Sequence, residues 1–77
     1  MQLYLGGHLD YYGPQKQNSL TISLSQPAHL NDVLAGLDIP LAEIAICAVN
    51  GTAILSFEEI IVSDEDDVAL YPHVGGG

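Results

Sequence analysis

The apolar positions change period along the chain, and each change marks an element. Met1-Gln2-Leu3-Tyr4-Leu5 alternates apolar with less apolar residues, the pattern of a half-buried strand. Gly6-Gly7 suits a bend or bulge at its end. Asp10 to Asn18 carries Gly13-Pro14 and reads as a long hairpin loop. Ser19 to Ser25 is the clearest strand: Leu20, Ile22 and Leu24 on one face, Ser19, Thr21, Ser23 and Ser25 on the other. Leu30, Val33, Leu34 and Leu37 then recur at i, i+3, i+4 and i+7, one stripe of a short helix. Pro27 suits a first turn, no clear cap stands beside His29, and Asp38-Ile39-Pro40 ends the helix.

Ile44 to Val49 is apolar at every position, as expected of a central strand covered by the helix on one face and partly by a neighbour on the other. Asn50-Gly51 follows and predicts a tight hairpin, because both turn residues need a positive φ. Thr52 to Leu55 is its short return strand. Phe57 to Ser63 is irregular, with Ile60, Ile61 and Val62 packing beneath. Asp64-Glu65-Asp66-Asp67 is an acidic turn, and Val68 to Tyr71 a last strand stopped by Pro72. Strand, strand, helix, strand, short strand, strand is a β-grasp order. The class is α+β, a mixed sheet of four to five strands with one main helix. The division expected is a domain over 1–72 and a flexible glycine-rich tail over 73–77.

Composition narrows the function. The chain has 77 residues, one Lys or Arg against ten Asp and Glu, and a formal charge of −9. Lys16 alone cannot track a phosphate backbone, so no nucleic acid is expected, nor docking on an anionic membrane. No apolar run approaches a membrane-spanning length, and no basic segment with an apolar stretch opens the chain. The cytoplasm is the expected location. Cys47, the one cysteine, sits in the most apolar strand and reads as inert packing. Asp64 to Asp67 lacks the alternating spacing of a calcium loop and reads as a solvated turn. Nothing in the spacing of His8, His29 and His73 gathers them around a metal, so no metal site is expected. Tyr4, Tyr11, Tyr12 and Tyr71 read as sheet and loop packing.

Two stretches resemble the ubiquitin-like sulfur carriers of the MoaD/ThiS family. Ala45-Ile46-Cys47-Ala48-Val49-Asn50-Gly51 is similar to the family's apolar strand ending in Val-Asn-Gly. Residues 64–77, through Tyr71-Pro72-His73-Val74 to Gly75-Gly76-Gly77, are similar to its acidic turn, last strand and diglycine end. Glu65 stands where the family's turn usually has glycine, and Gly75 where a small residue precedes the diglycine.

The resemblance implies a carrier that is not itself an enzyme and binds no cofactor. An E1-like enzyme, using ATP, would adenylate Gly77. A sulfur donor would then displace AMP to leave a thiocarboxylate. Gly77 would be the reacting residue, with Gly76 beside it, and Gly75, Val74, Pro72 and Tyr71 would bind partners. Glycines thread a narrow channel without Cβ clashes, and 74–77 fully extended would reach ~14 Å. The long connection between the first two strands, with Tyr71-Pro72, leans toward the small subunit of molybdopterin synthase, docked on its large subunit in molybdenum cofactor biosynthesis. Val74-Gly75-Gly76-Gly77 and the strand from Ala45 to Gly51 are at least as similar to the thiamine branch, which would serve a thiazole synthase. A protein modifier joined through Gly77 to a lysine is a further alternative, and a plain acidic binding module another. The docking face expected is the apolar part of the exposed sheet beside Tyr71, Pro72 and Val74.

Overall fold

The computed structural model describes residues 1–73, with Glu58 described by its backbone alone. Leu3 and Leu5 of β1 (Gln2–Leu5) are buried while Gln2 and Tyr4 face outward, as the alternation requires. β2 (Ser19–Thr21) pairs antiparallel with it, Leu20 opposite Leu3. The strand expected over 19–25 is therefore shorter. Ile22 N–H still donates to the Met1 carbonyl at 2.8 Å, and there the pairing with β1 ends. Leu24 N–H turns instead to the Asp64 carboxylate, also at 2.8 Å.

The connection between β1 and β2 is more ordered than a plain loop. It forms two 3-10 segments, Gly7–Tyr12 and Pro14–Lys16, and plants Leu9 fully in the core. β3 (Ala28–His29) leads into α1 (Leu30–Gly36), in which Leu30 and Leu34 are fully buried and Val33 packs at the edge. The helix ends in a Schellman turn. Ile39 N–H donates to Leu34 O at 3.0 Å and Asp38 N–H to Ala35 O at 3.1 Å. Asp38 takes the left-handed conformation, φ 60°, in the place glycine usually holds.

β4 (Ile44–Val49) turns at Asn50-Gly51 into β5 (Thr52–Ile54). Both turn residues have positive φ, 51° and 86°, as the hairpin demands. β6 (Ile61–Val62) pairs with β3 in a separate two-stranded ribbon. Val62 is fully buried there, but Ile61 points outward rather than packing underneath. β7 (Asp67–Pro72) lies at the centre of the five-stranded sheet, whose order is β2-β1-β7-β4-β5. It runs parallel to β1 and antiparallel to β4, with a bulge at Ala45 where Ile44 faces Pro72 and Ile46 faces Tyr71.

One face of this sheet carries the core. Leu3, Leu5, Leu20, Cys47, Val68 and Leu70 point inward and meet Leu30, Leu34, Phe57 and Val62. The opposite face carries no second layer among the described residues. The partial cover expected on the second side of β4 is therefore missing among the described residues: Ile46 is 51% exposed. An unbroken apolar run does not reveal which face stays open, because alanine and isoleucine suit either.

Candidate functional site

The sheet delivers the C-terminal segment from its most constrained strand. β7 is paired with β1 as far as Leu70 and with β4 as far as Pro72, so the chain leaves the sheet at a fixed point. The exit is tightly packed. Gly6 N–H donates to Leu70 O at 2.8 Å, and a Cβ on Gly6 would lie 2.8 Å from Tyr71 Cδ1. Gly7, at φ 53°, lies so close to the Pro72 ring that a Cβ there would stand 2.8 Å from Cγ. The two glycines let the first 3-10 segment close against Tyr71 and Pro72. His73 follows and is exposed. Val74, Gly75, Gly76 and Gly77, the other site residues expected from the sequence, lie outside the described residues.

Beside the exit lies the open sheet face. Tyr4 of β1 and Tyr71 of β7 stand on it with ring centroids 6.0 Å apart, tilted by 55°. They are thus surface walls and not interior packing, about two-fifths exposed each. Ala48 and Ala69, opposite each other on β4 and β7, form a low floor between the side chains. The result is an open depression of about 390 Å³. Strand alternation in β1 and β7 would have placed Tyr4 and Ala69 on this face. The β-grasp order sets the last strand centrally beside the first, and β7 lies there, which makes Tyr4 and Ala69 neighbours.

The acidic turn is internally wired. Asp66 accepts from Ser63 N–H at 2.8 Å and from the Asn50 side-chain amide at 3.1 Å, while Asn50 Oδ1 accepts from Asp67 N–H at 2.9 Å. The Ser63 amide first, then Asn50, holds the Asp66 carboxyl below its usual range. Asp64 is held low by Leu24 N–H and then by the amino-terminal ammonium, which donates to Asp64 O at 2.6 Å and to Ile22 O at 2.7 Å. Glu65 does not need the glycine of the family's turn, since it is not among the residues with positive φ.

The other titratable groups are scattered. His8 Nε2 stands 3.7 Å from Glu43 Oε2, His29 precedes α1 and His73 follows β7. Desolvation and then the Glu43 carboxylate push the Tyr12 hydroxyl up. Cys47 is fully buried, and burial pushes its thiol up to about 11. A neutral, enclosed thiol is a poor nucleophile. No group of three or more His, Cys, Asp or Glu residues among the described ones is arranged to hold a metal. The described residues thus offer a shaped face and a fixed exit, not an assembled acid, base and nucleophile.

The sequence model of the ThiS family matches residues 10–77, from the connection after β1 through the glycine end. The chain belongs to the ThiS family. It is therefore a member of the ubiquitin-like sulfur carriers, small proteins that carry sulfur and do not catalyse. Among solved structures it is similar to the thiamine biosynthesis protein (ThiS) from Geobacter metallireducens, at 23% identity and a TM-score of 0.59, each chain covered over 100% of its length. That likeness shows the β-grasp fold expected from the element order. No curated protein matches the chain. None of the described helices of the carrier is long and apolar enough to cross a membrane.

Proposed function

We propose that this carrier delivers sulfur to the thiazole ring of thiamine through a thiocarboxylate on Gly77. The observation that carries the reading is the ThiS family match, which runs unbroken to Gly77. It favours the thiamine branch over the molybdopterin branch toward which the β1–β2 connection and Tyr71-Pro72 lean. Residues 1–72 act as the rigid body and 73–77 as the reactive segment.

The chemistry asks little of the carrier. The Gly77 carboxylate attacks the α-phosphorus of ATP on an E1-like enzyme and pyrophosphate leaves. Sulfide-level sulfur from a donor then attacks the acyl carbon and AMP leaves, which gives the thiocarboxylate. The carrier itself holds no cofactor; ATP belongs to the partner. Gly75 and Gly76 present no Cβ to the walls of a partner's channel. Val74, Pro72 and Tyr71 seat the segment's root, and the open sheet face docks the body. That face suits successive partners, the adenylating enzyme and then a thiazole synthase, in the cytoplasm. At a charge of −9 the carrier favours basic partner surfaces and associates more weakly as salt rises.

The test is the intact mass of the carrier after incubation with ATP, the adenylating enzyme and a sulfur donor. The expected product carries one sulfur in place of one terminal oxygen. Gly76→Ala, or deletion of Gly77, abolishes AMP-dependent exchange and leaves thermal unfolding unchanged. Normal exchange by either variant rejects the reading. Presenting the thiocarboxylate to a thiazole synthase and to the large subunit of molybdopterin synthase separates the branches. Transfer with the second alone overturns the thiamine assignment, and lysine-linked conjugates through Gly77 support a modifier instead.

A further inference from the structure

The open depression has an uneven chemistry that selects its occupant. Its floor is Ala48 and Ala69, and one end is walled by the Tyr4 and Tyr71 rings. Along β7, two residues from Ala69 and ~6.6 Å away, stands Asp67, which also lines the depression. It supplies the only formal charge of the lining. Val68 and Leu70 are buried, so alternation turns Asp67, Ala69 and Tyr71 out on the same face.

Asp67 differs from its neighbours in the acidic turn. Asp64 and Asp66 spend their carboxylates on internal donors: Leu24 N–H and the terminal ammonium for the first, Ser63 N–H and Asn50 for the second. Asp67 is tied into the turn through its backbone, by Asn50 N–H to Asp67 O at 2.7 Å and by Asp67 N–H to Asn50 Oδ1 at 2.9 Å. Its carboxylate accepts no hydrogen bond among the described residues. The strand is thereby held still while the charged group remains available at the edge of an apolar, aromatic hollow.

We propose that this depression is a receptor for an arginine side chain presented by a basic partner protein, its aliphatic stem over Ala48 and Ala69 and its guanidinium on Asp67. Apolar floor and carboxylate together favour arginine. A guanidinium is planar and pairs a carboxylate with two parallel N–H groups, and its aliphatic stem covers the alanine floor. A purely apolar side chain would cover Asp67 and leave it unpaired, which is unfavourable. An acidic one would meet a like charge on a chain already at −9. The inference rests on the carrier reading only in naming the partner as a protein that handles the activated segment.

The test uses the full chain and the probe N-acetylarginine amide, followed by the amide shifts of the carrier. Saturable shifts are expected at Gln2, Tyr4, Ala48, Asp67, Ala69 and Tyr71. The isosteric neutral citrulline derivative should bind more weakly, by about the factor that loss of an exposed ion pair gives. Asp67→Asn should weaken binding about 1.5- to fivefold, the range for an exposed ion pair. Ala69→Leu, which fills the floor, should abolish the shifts while the rest of its spectrum stays native. With the adenylating enzyme, Asp67→Asn should raise KM by a similar factor and leave kcat unchanged. Equal shifts from citrulline, equal binding of the lysine derivative, an unaffected Asp67→Asn, or shifts spread evenly over Asp10, Asp32 and Glu43 overturn the assignment. The titration does not involve Gly77. A negative result here leaves the thiocarboxylate chemistry standing, and failure of Gly77 activation leaves the arginine receptor standing.

Discussion

The same chemical change, glycine to alanine, should have opposite signs at Gly6 and Gly36. Gly6 has φ −76° and ψ 158°, a conformation any residue adopts, so the cost there is purely steric. The new Cβ would stand 2.8 Å from Tyr71 Cδ1 and 3.0 Å from Leu70 O. The ring could swing, but only by giving up its contact with Tyr4. The carbonyl cannot yield, because Gly6 N–H holds it at 2.8 Å. Overpacking of this kind costs about 1–3 kcal/mol. For a domain of this size each kcal/mol moves Tm by about 4–8 °C, so Gly6→Ala should melt roughly 4–24 °C lower. At Gly36, in α1, a Cβ meets nothing within 4 Å. Removing backbone freedom there should add about 0.5–1 kcal/mol. Thermal unfolding followed by circular dichroism, with both variants beside the parent protein, reads the difference. Gly6→Ala should also raise KM with the adenylating enzyme, since it displaces the root of the reactive segment. A Gly6→Ala protein that melts at or above the parent temperature would refute the account of how the segment is anchored.

Cys47 should resist alkylation in the native protein near pH ~8 and react once unfolded in urea, because it is buried and protonated; labelling at the rate of an exposed thiol contradicts this. Its folded value of about 11 lies above the ordinary 9.0, so between those values the unfolded chain has released a proton that the folded one keeps. Stability conferred by the neutral thiol is complete below pH 9 and falls as pH rises toward 11, a loss that Cys47→Ala should lack. Asp66 has the opposite sign. Its folded pKa lies below the ordinary 3.8, so its stabilising contribution is present above that value and is lost as pH falls through the folded pKa. Asp66→Asn should be less stable at neutral pH and should show a shallower acid limb in denaturant titrations. Asp38→Gly should gain about 0.5–1 kcal/mol in the same titrations by relieving a non-glycine residue at φ 60°; a loss there means that the Asp38 side chain contributes more than its backbone costs.

The elements with strong local chemistry were readable from the sequence. The alternation of β1, the helical stripe over Leu30, Val33, Leu34 and Leu37, and the Asn50-Gly51 turn each have a local cause. The elements that depend on distant partners were not. Ser23 and Ser25 continue an ideal alternation, yet pairing of β2 with β1 stops short of them, and Asp64 captures Leu24 from the other end of the chain. Leu9 was invisible as a core residue because it is one apolar side chain within a polar run, buried by a 3-10 segment without a long period. At the site, the glycine end and Tyr71-Pro72 were legible as motifs. The partnership of Tyr4, Ala69, Ala48 and Asp67 was not, because it depends on the register in which β7 meets β1 and β4, which no local pattern sets.

That central position of β7 also decides how the carrier meets mechanical load. A pull on whatever follows Pro72 acts along β7, which is gripped by β1 on one side and by β4 on the other. The two ladders are then sheared together and must rupture at once. A pull on the outer strand β5 would instead open one ladder bond by bond. A motor that pulls on the chain beyond Pro72 therefore meets the toughest seam first.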